Sequence, residues 1–228
     1  MIRRLFFILL QMLYLLKSRT LSSQGRIYMF HNVNDDGDTY SITKEHFEEW
    51  IESLLKDRKI VDIDTLVREK DPKNVVITFD DVYESVYRNA FPILKEKGVP
   101  YYLFLCNEYL DHEKYVTSDM VREMLSDSKA IVGSHNYRHE LSRFKETEQM
   151  KEELEHSKDE LEKELSVKID SFAFPYGSMY ACSKENIETA RKRFRYVFMT
   201  YAVPYHESCG NIIPRINMND STFRKEMK

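Results

Sequence analysis

The chain has 228 residues, enough for one well-buried core and too few for two comfortable domains. Hydrophobic residues make up 42% and charged residues 32%, an ordinary globular balance, and the formal net charge of −4 gives no global attraction to nucleic acid. No basic stripe interleaved with aromatics runs through the body of the chain, so nucleic acid is set aside as a partner.

The first element, Leu5 to Leu16 (LFFILLQMLYLL), is apolar except for Gln11 and is flanked by Arg3, Arg4, Lys17 and Arg19. A helix of this length spans ~18 Å against a hydrocarbon core of ~30 Å, which argues against a simple crossing. The segment after it carries positive charge and lacks a small-x-small cleavage site, which argues against a removable signal. The pattern fits a helix lying in the membrane interface, its basic flanks on anionic lipid. The alternative is a buried N-terminal helix. Residues 1–24 are thus expected to be a membrane-associating segment, with the cytoplasmic face favoured over export, and residues 25–228 a single domain.

From Gly25 onward, short apolar runs alternate with amphipathic stretches. Arg26 to His31 reads as a strand. Thr43 suits the N-cap of a helix whose Phe47, Trp50, Ile51, Leu54 and Leu55 mark a buried face. Asn74 to Phe79 is a strand without polar alternation, as expected when both faces are covered. A helix runs to Glu96, with Gly98 placed for its C-terminus. Then follow a strand at Pro100 to Cys106, a helix at Ser118 to Leu125 and a strand at Ala130 to Gly133. Lys145 to Ser166 is a long charged helix with a narrow apolar stripe. Strand Ser171 to Phe174, a helix at Lys184 to Lys192, strand Tyr196 to Thr200 and a final run at Ile212 to Ile216 complete the series. Repeated strand-helix units predict an α/β fold with parallel strands, either a (β/α) barrel or a doubly wound sheet.

The candidate chemistry sits where these strands end. Asp80 and Asp81 follow a buried strand directly, and buried carboxylates must be paired, solvated or metal-bound to stay charged. The bland alternative is a pair of acids at a helix N-terminus. His135 and His139 follow the next-but-one strand, and their i, i+4 spacing puts them on one side of a helical turn, within reach of one ion. Two surface histidines would look the same in sequence. Both motifs nevertheless lie at strand ends that converge on one crevice in barrels and open α/β sheets. One carboxylate and two imidazoles leave positions free for water and substrate, as a catalytic metal site requires. Phe174-Pro175-Tyr176-Gly177 follows a third strand; alone it reads as a turn that can aim backbone N–H groups into a crevice.

Taken in order, Thr78-Phe79-Asp80-Asp81, His135 with His139, and Phe174-Pro175-Tyr176-Gly177 resemble the polysaccharide deacetylase family, the NodB-homology fold of carbohydrate esterase family 4. Tyr28-Met29-Phe30-His31 is similar to the first strand of that family's biofilm poly-N-acetylglucosamine deacetylases. The likeness runs over roughly residues 26–217 and implies a distorted (β/α)7 barrel. It implies that Asp81, His135 and His139 bind one divalent metal ion, with Zn2+ the default and Ni2+, Co2+ or Fe2+ also compatible. It also implies Asp80 as general base and the Tyr176 backbone N–H as oxyanion donor. The usual late Leu-x-His acid is missing; by analogy with the biofilm enzymes His31 is the candidate, with His206 a weaker one.

Other departures stand out. Val82 replaces a glycine after the Asp pair, and Asn136 replaces a Ser or Thr whose local hydrogen bond its amide can imitate. Ala173 stands where many members carry an arginine that orients the aspartate. Arg215 is expected either to supply that charge from the last strand or to be a plain surface arginine, and Pro175 is grouped with it as substrate-binding or base-orienting. The resemblance implies a hydrolase acting on an acetylated glycan or lipid-linked saccharide, with N-acetyl favoured over O-acetyl. The alternative is a degenerate member that binds metal or glycan without turnover.

Overall fold

The structure, a computed structural model, describes residues 23–227. The expected membrane segment, including Leu5 to Leu16, lies outside the described residues apart from its last two positions. Among the described residues no helix is long and apolar enough to cross a membrane. In chain order the strands are β1 (Arg26–Phe30), β2 (Asn32–Val33), β3 (Ser41–Ile42), β4 (Lys59–Ile60), β5 (Asn74–Asp80), β6 (Pro100–Leu105), β7 (Lys129–Ser134), β8 (Ser171–Ala173), β9 (Tyr196–Thr200) and β10 (Ile212–Asn217). The helices are α1 (Lys44–Asp57), α2 (Ile63–Glu69), α3 (Phe91–Lys97), α4 (Ser118–Asp127), α5 (Thr147–Leu165), α6 (Lys184–Arg193) and α7 (Asp220–Glu226).

The sheet runs β1-β10-β9-β8-β7-β6-β5, and a further β1–β5 pairing closes it. Every one of these pairings is parallel, so the result is a closed seven-stranded parallel barrel, with β4 attached outside the ring to β5. Closure explains why the strand sequences lack polar alternation: one face of each strand meets helices and the other meets the barrel interior. Side chains nevertheless alternate in what they touch. Tyr28, Phe30, Val75, Ile77, Phe79, Tyr101, Leu103 and Leu105 belong to the outer core, with α1 contributing Phe47, Trp50 and Ile51. Ile27, Val76, Tyr102, Phe104, Ala173, Phe198 and Ile213 form a separate inner core. Ile63 and Leu66 of α2 join this inner cluster, and the Ile63 N–H donates to the Tyr102 hydroxyl at 3.2 Å, so α2 plugs one end of the barrel.

Local sequence explains the helix ends. Thr43 caps α1 by accepting from the His46 N–H at 3.2 Å, and Gly98 ends α3 in the left-handed conformation with φ 61°. Gly133 in β7 is required by packing, because a Cβ there would lie 2.4 Å from the Phe104 ring. One expected core residue is outside: Leu55 is 40% exposed, on the flank of an α1 stripe already filled by Trp50, Ile51 and Leu54.

Candidate active site

The period-two alternation of the strands aims the chemistry. Counting two residues on from the inner-core positions, Val76 leads through Thr78 to Asp80, Ile213 leads to Arg215, and Ile27 leads through Met29 to His31. Gly133 leads likewise to His135. These residues therefore meet at the carboxyl-end mouth, opposite the α2 plug.

Asp80 closes β5 and is buried against a fully buried Arg215. The pairing is bidentate, Nη1 to Oδ1 at 2.5 Å and Nη2 to Oδ2 at 2.7 Å, and Nη1 also donates to the Thr78 hydroxyl at 3.2 Å. The guanidinium lies 5.3 Å from the Phe104 ring centre and 5.8 Å from that of Phe198. Burial on its own would raise the Asp80 pKa, but the Arg215 charge and its hydrogen bonds outweigh it and hold the carboxyl below its ordinary value. Of the two expectations for Arg215, the surface one is excluded.

Asp81 would point away from the interior if the strand continued. Instead it adopts φ 60° and Val82 φ 45°, and this left-handed turn swings the second carboxylate back into the mouth. Its Oδ1 stands 3.5 Å from His135 Nε2 and 3.4 Å from His139 Nε2, and it is buried without a hydrogen-bond partner. His135 Nδ1 lies 2.9 Å from the Ala173 carbonyl, which can only accept, so Nδ1 carries the proton and Nε2 presents a lone pair. Burial pushes His135 down to about 3 and lowers His139 as well, so both imidazoles are neutral. Burial, reinforced by the neighbouring Asp80 charge, pushes Asp81 up to about 7.

This donor set fits a divalent cation. One ligand atom from each of Asp81, His135 and His139 lies within 4.8 Å of the others. Ligands ~2.0–2.1 Å from a common tetrahedral ion stand roughly 3.3 Å apart, close to the separations found here. The orphaned Asp81 oxygen is the strongest sign, because a buried carboxylate without donors is costly unless a cation meets it.

The histidines do not share a helical turn as expected. Asn136 has φ 72° and the segment after β7 is an irregular loop, which brings the two rings to 5.3 Å by a sharp bend. Asn136 makes local bonds, its N–H to the Ser134 hydroxyl at 3.2 Å and its amide to the Arg138 carbonyl at 3.4 Å. Beyond β8, Pro175 is buried and Tyr176 sits at φ 60° with its ring 4.6 Å from that of His139. Gly177 is indispensable here: a Cβ would meet the Thr200 hydroxyl at 2.4 Å, and its carbonyl accepts from the Thr200 N–H at 2.8 Å.

His31 follows β1, half-buried, with its Nδ1 buried and without a hydrogen-bond partner, and it lies close enough to interact electrostatically with both Asp80 and Asp81. His206 is elsewhere. Its neighbours Tyr205 and Glu207 bond Gln24 and Gly25 at the start of β1, at the plugged end of the barrel, so it cannot serve this mouth. The Ala173 carbonyl was invisible to sequence reasoning because a backbone acceptor leaves no residue signature.

The structure is thus a closed parallel β/α barrel whose carboxyl-end mouth gathers a donor set able to hold one divalent cation. The chain belongs to the polysaccharide deacetylase family, whose model matches residues 67–197. It is similar to the poly-beta-1,6-N-acetyl-D-glucosamine N-deacetylase of Staphylococcus aureus (strain MRSA252), at 27% identity over 221 residues covering 89% of this chain and 76% of that protein. Among solved structures, IcaB from Ammonifex degensii superposes with a TM-score of 0.82 at 21% identity, covering 90% of this chain and 96% of that one. The Streptococcus pyogenes deacetylase PplD, solved in complex with acetate, gives a TM-score of 0.76 at 18% identity, covering 90% and 98%. These two share the fold, which is the (β/α)7 barrel expected from the sequence.

Proposed function

We propose that this chain is a metal-dependent deacetylase that removes acetyl groups from N-acetylated sugars of a polysaccharide or a lipid-linked saccharide. The observation that carries the reading is the pair of adjacent carboxylates in opposite states: Asp80 neutralised by Arg215, and Asp81 orphaned between two neutral imidazoles. Asp81, His135 and His139 would hold the ion, and zinc suits the set, as do nickel, cobalt and iron. A divalent cation bound there supplies an acidified water and polarises the acetyl carbonyl.

The chain's own groups do the rest. Asp80, ionised at working pH, accepts the proton of the attacking water; Arg215 fixes the carboxylate plane so that the free lone pairs face the mouth. The Tyr176 N–H donates to the carbonyl oxygen as negative charge builds on it, on a loop held by buried Pro175 and by Gly177 against Thr200. An amide nitrogen leaves poorly as an anion, so it must be protonated, and His31 is the donor. An ester oxygen would need that donor far less. The apolar run Leu5 to Leu16 is proposed to keep the enzyme at a membrane surface, with the cytoplasmic face favoured.

The test is acetate release from a panel of N- and O-acetylated oligosaccharides, with metal analysis on the same sample. Asp80→Asn is expected to retain the ion and lose acetate release by at least ~100-fold. A wild-type protein that binds metal but frees no acetate from any member of the panel would instead be the non-catalytic binding member of the fold.

A further inference from the structure

The turn that aims Asp81 is strained. Asp81 and Val82 are consecutive non-glycine residues with positive φ, and Val82 is β-branched, the residue type least suited to that region. Such a turn persists only if its surroundings over-determine it. The surroundings here come from the segment between β6 and α4. The Val116 N–H donates to the Val82 carbonyl at 3.1 Å, the Glu84 N–H donates to the Lys114 carbonyl at 2.9 Å, and Tyr83 and Tyr115 form an antiparallel bridge between them.

The side chains repeat the connection. Tyr83 stacks on Tyr115 with ring centres 4.8 Å apart, Tyr115 stacks on Tyr109 at 4.3 Å, and Tyr109 stacks on His139 at 5.7 Å. One column of rings therefore starts beside the strained turn and ends on the second imidazole of the cation site. The segment carrying it is itself fixed: Asp111 accepts from both the Ser118 N–H and the Ser118 hydroxyl at 2.7 Å, at the start of α4.

We propose that Tyr115, braced by Tyr109, is a positioning residue for the cation site: it clamps the Asp81–Val82 turn in its left-handed form and sets the His139 ring plane at the same time. The proposal rests on Asp81, His135 and His139 binding a divalent ion. The Tyr115 hydroxyl also hydrogen-bonds Tyr83 and Tyr109, so Tyr115→Phe, which keeps the ring and removes the hydroxyl, separates the two, and with the ring carrying the clamp it should behave much like wild type.

Zn2+ affinity of the full chain, measured by competition with a chelating dye, tests it directly. Tyr115→Ala is expected to weaken Zn2+ binding by ~10–100-fold, the usual cost of losing a group that orients a ligand. Tyr115→Phe should stay within about threefold of wild type. Glycine takes positive φ freely, so Val82→Gly in the Tyr115→Ala background should recover most of the lost affinity while changing little in the wild type. Thermal unfolding in chelator controls for general damage: a purely structural role would lower the metal-free midpoint and leave the affinity of the folded protein alone. If Tyr115→Ala does not fold, Tyr115→Leu keeps bulk without the stack and is read the same way. Unchanged affinity in Tyr115→Ala or Tyr115→Leu, or equal gains from Val82→Gly in both backgrounds, overturns the clamp. Wild type failing to bind Zn2+ would instead remove the metal reading itself.

Discussion

Asp80 and Asp81 are joined by one peptide bond and occupy opposite kinds of surroundings. Behind Asp80 lies a regular strand, an inward parity shared with Thr78, and a buried guanidinium that neutralises it. Around Asp81 lie a left-handed turn, an oxygen without donors, and imidazoles that burial keeps neutral. The first region is complete as it stands. The second, on the proposed reading, is completed by a cation. On that reading two carboxylates can both be charged side by side in one crevice because each has its own positive partner, one covalently part of the chain and one to be bound.

The largest break in this comparison is expected from Arg215→Ala. Removing one member of a buried pair leaves the other charge uncompensated, and urea unfolding should show a loss of about 3–5 kcal/mol at neutral pH. The sign follows from Asp80, whose lowered pKa contributes stability above its unfolded value, near 3.8, and loses it as pH falls through the folded one. The difference between variant and wild type should therefore shrink in acid.

Next comes His31→Ala. Turnover of an N-acetylated substrate should fall by about 100-fold, the lower end for losing a general acid, while an O-acetyl ester of similar shape should be much less affected. Equal loss on both substrates would assign His31 to binding.

The smallest effect sharpens the Asp81 side. With its pKa pushed up to about 7, Asp81 must release a proton to take up a cation below that pH. Zn2+ affinity should thus be level above about pH 7 and fall by ~10-fold per unit beneath it, roughly 30-fold by pH 5.5. His135, down at about 3, adds nothing in that window. Asp81→Asn should bind weakly and lose the Asp81 part of that slope.

The fold was legible because its signals are local: strand Asn74 to Phe79, the Thr43 cap and Gly98 each state their structure within a few residues. Elements with too few residues to show a period were missed, among them β4 with two residues and α7, where Phe223 is the lone buried side chain. Helix α2 is short too, and its one local signal is the Asp62 cap ahead of Ile63 and Leu66. In the site, the identities of Asp80, Asp81, His135 and His139 could be read, yet their geometry could not. The i, i+4 spacing of the histidines pointed to a helix where Asn136 makes a bend, because a non-glycine left-handed residue is invisible to periodicity. Arg215 could not be distinguished from a surface arginine until the parity of β10 was known, and the tyrosine column is scattered over Tyr83, Tyr109 and Tyr115.

The pairing of β1 with β5 sets Phe30 level with Phe79, so His31 and Asp80 are side by side although β2, β3, α1, β4 and α2 lie between them in the chain. Arg215 arrives only with β10, which seats itself against β1. The mouth therefore has no partial version: its first and last contributors come from opposite ends of the domain and meet at the seam where the cylinder shuts. On the proposed reading, recovery of acetate release during refolding, which needs Asp80, Arg215 and His31 together, should accordingly be a late event that reports the shutting of that seam, lagging behind the recovery of helical signal.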